Sequence, residues 1–406
     1  MPHTIKNILV LTNIYPAIDL EKENTPVVHY FTREWIKMGY EIRVIHYPAN
    51  FPKILMKGAS IFKKQLSSKL GVTIRTSQAK ELEYKIDNVK VKRIPLLKYK
   101  LHGSFSQKQI ERAYNKTIQY LNKEDFKPDF IISHWVNPQI EIMNKLKSLF
   151  NVKTCYIAHT PTAEFERIYN DSDAKKLINN IDIIGFRSRN IKELFCRKYN
   201  YHGHTFQCYS GIPEKYIPQE KIVRDFNTIN KFIFVGTLIK RKYPAEILLS
   251  LSKSYKDNDF EMSYIGKGAE LEIIKKYSQK FKIENKVHLY NYVPRDKVVE
   301  YLKNHDVFIM ISKNEAFGLV YLEAMAQGCI TIASKNEGFD GIIQHGVNGF
   351  LCKAGDVDEL ANIITEIKNM DKTSLKQISQ NAIETAKNLT DFKAASYYIN
   401  EIERIK

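Results

Sequence analysis

The sequence predicts an α/β protein in which two doubly wound, parallel-stranded sheets follow one another along the chain. Three observations carry this. Short, continuous apolar runs recur throughout, as expected of strands covered on both faces. Helical stretches separate them, and alternation of strand and helix builds a parallel sheet. The pattern also starts twice, at Ile8-Leu9-Val10-Leu11 and at Phe232-Ile233-Phe234-Val235-Gly236. The 406 residues suit two or three domains of roughly 100–200 residues each.

The first strand, Ile8 to Thr12, runs into a loop from Asn13 to Pro26 and a helix near 28–38. Gly39 ends that helix, and Ile42-Arg43-Val44-Ile45 is the next strand. Strand, loop, helix, glycine and strand make an opening βαβ unit. Phe130-Ile131-Ile132, Thr154 to Ala158 and Ile181 to Phe186 continue the sheet, separated by helices near 107–123, 138–149 and 190–198. Pro218 to Asn230 is polar and aperiodic, which reads as an interdomain linker. After Gly236 the expected helices lie near 244–253, 269–281, 295–303 and 317–327. The strands among them are Glu261 to Gly266, Val287 to Leu289, Val307 to Met310 and Ile330 to Ala333. The expected domains are 1–215 and 216–390, with a closing helix over 391–406 that could pack on either domain, a return to the first being one arrangement. Ligands of such sheets sit outside the carboxyl ends of the strands, here in a cleft between the domains.

Composition excludes several classes. Apolar residues make up 44% and charged residues 26%, ordinary for a globular chain. No run reaches the roughly 18 apolar residues that suggest a membrane span. The run at Ile8 is too short for the core of a signal peptide. The five cysteines are scattered and odd in number, which suits reduced thiols of a cytosolic protein without a zinc site. Net charge is +17 and uneven: residues 1–215 hold 35 Lys+Arg against 20 Asp+Glu, residues 216–406 hold 27 against 25. A basic first domain suits an anionic partner such as a membrane surface, a pyrophosphate-linked acceptor or nucleic acid, and suits equally a solubilising lysine-rich surface. Residues 51–70 interleave Ile54, Leu55, Ile61, Phe62, Leu66 and Leu70 with lysines. That pattern fits an amphipathic membrane-surface helix or an ordinary helix packed on the first sheet. Nucleic-acid binding would need a further basic or aromatic motif on one face, which is not found.

The most informative segment runs from Ile311 to Gly328. It places Glu315 in a strand-to-helix loop and Glu323 inside an apolar helix. A carboxylate there is costly to bury unless hydrogen-bonded, and two ribose hydroxyls would serve. The free N–H groups around Phe317, Gly318 and Leu319 at the helix start suit an anion. The bland reading makes Glu315 a capping residue and Glu323 part of a solvated face. A glycosidase acid pair is disfavoured, because eight helical residues span about 12 Å. Lys240-Arg241-Lys242 after Phe234-Val235-Gly236 is placed to meet a leaving diphosphate, or is a solvated turn. His159 and His134 each follow an apolar run, with Trp135 beside the latter.

Glu315-x7-Glu323 with Phe317-Gly318, Glu323-Ala324-Met325-Ala326-x-Gly328, Asp340-Gly341-Ile342-Ile343, Gly346-x-Asn348-Gly349-Phe350-Leu351 and Asp356-x-x-Glu359-Leu360-Ala361 resemble the signature of the family-4 retaining glycosyltransferases, of GT-B fold. The resemblance is specific over 232–361 and extends to the rest as domain order. It implies a GT-B enzyme with two Rossmann-like domains facing a central cleft. Such an enzyme moves a sugar from a UDP- or GDP-sugar to a saccharide or lipid-linked saccharide, with retention and without metal or other cofactor. It implies that Glu315 contacts the transferred sugar, Glu323 the ribose, and the intervening loop, with Phe317, Gly318 and Leu319, phosphate and sugar. Lys242 falls on the family's diphosphate lysine, near Gly236. The family's arginine position holds Thr237, so Arg241 or Lys240 supplies the second cation, or the diphosphate has one cation plus the 315–319 loop. His159 falls beside the reaction centre, with His134 and Trp135 as acceptor contacts. The glycine usual in the first loop is missing between Asn13 and Pro26, so acceptor contacts there are not carried over. A role in bacterial surface-polysaccharide or glycoconjugate synthesis would place the protein in the cytoplasm, at the inner face of the plasma membrane. The rival readings are an epimerase of the same fold, a pyridoxal-dependent phosphorylase and a nucleic-acid-binding protein.

Overall fold

A computed structural model describes residues 5–20, 25–52, 77–100, 103–160, 162–220, 222, 224–257 and 259–405. The chain divides into two compact units. The first comprises Met1–Arg187, Ile191–Tyr209 and Asp391–Lys406, the second Ser188–Asn190 and Ser210–Thr390. Most of the basic 51–70 stretch and residues 21–24 of the first loop lie outside the described residues.

The first unit is built on β1 (Asn7–Thr12), β2 (Glu41–His46), β3 (Ala49–Asn50), β4 (Leu82–Ile86), β5 (Val89–Arg93), β6 (Leu96–Leu97), β7 (Phe130–His134), β8 (Lys153–Ala158), β9 (Ile183–Phe186) and β10 (His204–Gln207). Eight of these form one sheet in the order β10-β9-β8-β7-β1-β2-β5-β4, while β3 pairs with β6. Every pairing in the large sheet is parallel except β4 with β5. The order runs outward in both directions from β1, which is what double winding produces. Leu9 and Leu11 face one buried cluster and Ile8 and Val10 the other, so β1 is covered on both faces.

Helices Val27–Lys37 and Asp391–Glu403 close one face together. Trp35 Nε1 donates to the Ala395 carbonyl at 3.0 Å, and the Tyr398 ring meets Phe31 and Trp35 edge-on at 5.3 and 5.0 Å. Tyr398, Ile399 and Ile402 are buried. Each such side chain contributes about 1.5–3 kcal/mol of burial. The closing helix is therefore a structural member of the first unit.

The second unit contains β11 (Lys231–Val235), β12 (Glu261–Ile265), β13 (Val287–Tyr290), β14 (Val307–Ile309), β15 (Ile330–Ser334) and β16 (Phe350–Cys352). Its sheet is wholly parallel, in the order β13-β12-β11-β14-β15-β16. Helices Val357–Asn369 and Lys372–Lys387 complete its packing.

Three expectations need correction. The boundary falls at Tyr209/Ser210 rather than 215/216, because Ile212 bridges Thr390 and the Tyr216 carbonyl accepts from Gln327 Nε2 at 2.7 Å. The stretch from Pro218 to Asn230 is not a free linker. Phe226 is buried, and Arg224 donates to the carbonyls of Gln327, His305 and Leu302. Asp171 and Asp173, whose polar surroundings read as a loop in the sequence, do not lie in one. They occupy the first turn of helix Asp171–Asn179, whose start Asn170 caps by accepting from Asp173 N–H.

Candidate functional site

In the second unit, β11 ends at Val235, and the chain passes Gly236 into a tight turn over Lys240–Lys242. Tyr243 then takes a left-handed conformation (φ 49°), and Pro244 begins the helix Pro244–Ser254. Lys242 is thereby folded back towards the strand. Its Nζ lies 3.3 Å from the place where a Cβ on Gly236 would sit. Lys242 Nζ and Arg241 Nη1 converge on Glu315 Oε2, at 3.4 and 3.5 Å. Arg241 also donates to the Lys313 carbonyl at 3.2 Å and accepts from Lys313 N–H at 2.7 Å, tying the two loops together. Thr237 is exposed and Lys240 makes no ion pair with Glu315. Arg241 is thus the second cation at this carboxylate.

Helix Leu319–Ala326 begins at Gly318, whose φ of 86° and missing side chain are both required. A Cβ there would lie 2.5 Å from the Tyr321 ring. Phe317 is buried against Phe339, with ring centroids 5.3 Å apart. Glu337 and Gly338 belong to no motif visible in the sequence. Glu337 Oε2 accepts the Glu315 backbone N–H at 2.9 Å, and burial raises the Glu337 carboxyl above its usual range. A Cβ on Gly338 would come within 2.5–2.6 Å of Phe317 N, Ala316 C and Glu315 O. Residues 337 and 338 therefore form the backing on which the Glu315 loop rests.

Glu323 is not on a solvated face: it is 4% exposed. Its partner is Arg295, whose Nε lies 2.5 Å from Glu323 Oε1. The Arg295 guanidinium lies over the Tyr216 ring, 5.5 Å from its centroid. Tyr216 in turn donates to Asp296 Oδ1 at 2.5 Å. The 292–295 stretch is a candidate base pocket from its sequence, but nothing there hints that Arg295 pairs with a residue 28 positions away. Glu315 and Glu323 each have cations of their own, which sets them apart from a glycosidase pair acting on one bond.

In the first unit, β7 ends at His134 and the next residue, Trp135, has φ 66°. A bulky side chain in the left-handed region costs on the order of 1–3 kcal/mol and persists only where its surroundings enforce it. His159 follows β8, and its ring stacks on the Trp135 indole at 4.2 Å and 7°. His134 Nδ1 lies 3.1 Å from His159 Nε2. Burial, and then the Arg187 guanidinium, lowers the His134 imidazole to about 3. Burial, His134 and Arg187 hold His159 well below its ordinary value. Both rings are neutral near pH 7. The described part of the glycine-free first loop is held by side chains instead: Asp19 makes a two-point pair with buried Arg93, and Tyr84 donates to the Pro16 carbonyl.

Among the described residues, no three His, Cys, Asp or Glu side chains are grouped to hold a metal ion. No helix among them is long and apolar enough to cross a membrane. The five cysteines are free thiols.

Residues 218–385 match the family described as glycosyl transferases group 1. That match lies wholly within the second unit and covers most of it. The N-acetyl-alpha-D-glucosaminyl L-malate synthase of Bacillus anthracis is 32% identical over 130 residues, 32% of this chain and 34% of that protein. That match thus spans about a third of the relative's length. An uncharacterized glycosyltransferase of Methanocaldococcus jannaschii is 25% identical over 318 residues, 76% of this chain and 82% of that one. Among solved structures, Anabaena HepE in complex with UDP superposes with a TM-score of 0.69 at 15% identity, covering 98% of this chain and 100% of that one. The lipopolysaccharide outer core galactosyltransferase WaaB superposes with 0.67 at 16%, covering 98% and 99%. The fold is GT-B, and both units have counterparts in those structures.

Proposed function

We propose that this chain transfers a sugar from a nucleotide diphosphate sugar to a saccharide or lipid-linked saccharide acceptor, with retention and without a metal. The observation that carries the reading is the convergence of Arg241 and Lys242 on Glu315, in front of the helix start at Gly318. Fixed cations beside unfilled helix N–H groups suit a leaving diphosphate, whose charge grows as the glycosidic bond breaks. Glu315 exchanges its cations for hydroxyls of the transferred sugar as the phosphates take Arg241 and Lys242. Glu323, buried and aligned by Arg295, accepts from the ribose hydroxyls.

In the transfer, the bond from the anomeric carbon to the diphosphate oxygen breaks. The acceptor oxygen bonds to that carbon on the same face, and its proton goes to the departing diphosphate. Trp135 serves the acceptor and His159 the reacting sugar; His134, expected at the acceptor, is buried at 1% exposure and reaches the site only through His159. HepE was solved with UDP and with UDP-glucose, which favours a UDP-sugar donor. The basic first half, net +15 over residues 1–215, suits an anionic inner membrane surface and a role in surface-polysaccharide synthesis.

The test is a thermal-shift and donor-hydrolysis screen against UDP-, GDP-, ADP- and TDP-sugars, with Glu323→Ala beside the wild type. A shift with one nucleotide class, lost in the variant, supports the ribose role and names the base. Folded protein that shifts with no nucleotide refutes the reading. Formation of an isomerised nucleotide sugar without any acceptor would make the protein an epimerase.

A further inference from the structure

The histidine pair of the first unit sets a question of proton placement. His134 Nδ1 and His159 Nε2 are 3.1 Å apart, so one carries a hydrogen and the other a lone pair. A neutral imidazole has a single N–H, and the choice at this contact therefore fixes the two outer nitrogens as well. If His159 Nε2 donates, His134 must carry its proton on Nε2. If His134 Nδ1 donates, His134 Nε2 is bare and the His159 proton sits on Nδ1.

The burial of His134 discriminates between these. The residue is 1% exposed, and its Nε2 is a buried atom with no hydrogen-bond partner among the described residues. A buried N–H left unpaired costs its full desolvation, and such donors are rarer than unpaired acceptors. Arg187, buried just after β9, disfavours the imidazolium form of both rings and so keeps the two imidazoles neutral at this contact. The remaining neighbours are uncharged: the Trp135 indole stacked on His159, and the Tyr398 ring 6.4 Å from His134.

We infer that His134 is a positioning residue that donates through Nδ1 and fixes the proton of His159 on Nδ1, so that His159 offers substrate an N–H donor rather than a base. The Trp135 stack holds the His159 ring plane, and the contact from His134 prevents the ring from turning over. His159 is half-buried, and its Nδ1 has no hydrogen bond to another described residue. The use of that N–H on a sugar hydroxyl rests on the transferase reading above, and it agrees with the acceptor proton leaving on the diphosphate. The proton placement itself does not depend on that reading.

The experiment is a long-range proton–nitrogen correlation spectrum of the full chain labelled with 15N-histidine. The signals of the eleven histidines are assigned with His159→Gln and His134→Asn. From about pH 5 to 8 the expected His159 is neutral with its proton on Nδ1. His134→Asp should move that proton to Nε2, because a carboxylate can only accept. A wild-type His159 protonated on Nε2, or present as imidazolium near pH 7, overturns the inference. Should His134→Asp fail to fold, the wild-type spectrum decides alone. No nucleotide sugar is used, so a failed donor screen and a failed proton placement are separate results.

Discussion

Replacing Arg295 by alanine tests whether the Arg295–Glu323 pair holds the ribose carboxylate in place. The Glu323 side chain is 5% exposed and that of Arg295 28%. Removing the more exposed partner therefore takes a cation away from the more buried charge. Breaking a buried pair this way costs about 3–5 kcal/mol. The open side of Arg295 puts this case at the low end, about 3 kcal/mol, to which the lost contact with Tyr216 adds about 0.5–1 kcal/mol. In a unit of this size that total is a fall in melting temperature of roughly 7–16 °C. Glu323→Gln keeps the shape and leaves Arg295 able to reach water, so it should cost only about 1–2 kcal/mol. The double variant should then be more stable than the sum of the two losses implies, by about 1.5–3 kcal/mol. Differential scanning calorimetry of the four proteins under one buffer measures all of this. A coupling near zero, or an Arg295→Ala protein within about 0.5 kcal/mol of wild type, would refute the claim that Arg295 sustains the buried carboxylate.

Two further outcomes follow from the same geometry. His134 titrates near 3 in the folded chain against an ordinary 6.5, so the unfolded chain takes the proton first and folding stability is lost as pH falls below 6.5. His134→Asn should flatten stability against pH by about 1.4 kcal/mol per pH unit between about pH 4 and 6, read from urea unfolding at several pH values. Gly338→Ala places a methyl 2.5 Å from Phe317 N and 2.6 Å from Ala316 C and Glu315 O. The Glu315 loop must retreat, at about 1–3 kcal/mol, and nucleotide-sugar affinity by calorimetry should fall with it. Unchanged affinity would show that the loop's resting position is not the binding one.

The central parallel strands were legible because each is a short apolar run, and β1, β11 and β14 fall where those runs do, whereas the parallel strands β5, β10 and β16 were not foreseen. The β4–β5 hairpin was not, because Leu82-Glu83-Tyr84-Lys85-Ile86 is largely exposed at the sheet edge and has no apolar run to announce it. Helix Asp171–Asn179 was hidden in the same way by its polar surface. In the site, the order of Glu315, Gly318 and Glu323 along one loop and helix is local, and sequence displays local order. What sequence does not display is which distant groups answer those residues. Arg295 reaches Glu323 from another helix, Glu337 reaches the Glu315 N–H from beyond β15, and the left-handed turn at Trp135 is a backbone fact no residue type declares.

The path of the chain has a consequence for its synthesis. Residues 210–390 contribute everything the second sheet needs, whereas the first sheet's helical cover includes Asp391–Glu403. On the ribosome the later-encoded unit thus has all its parts first. The earlier one must wait, with Phe31 and Trp35 lacking their Tyr398 neighbour, until the final helix emerges. Loss of a few codons before residue 403 would accordingly damage the half of the protein made first, and leave intact the half made just before the cut.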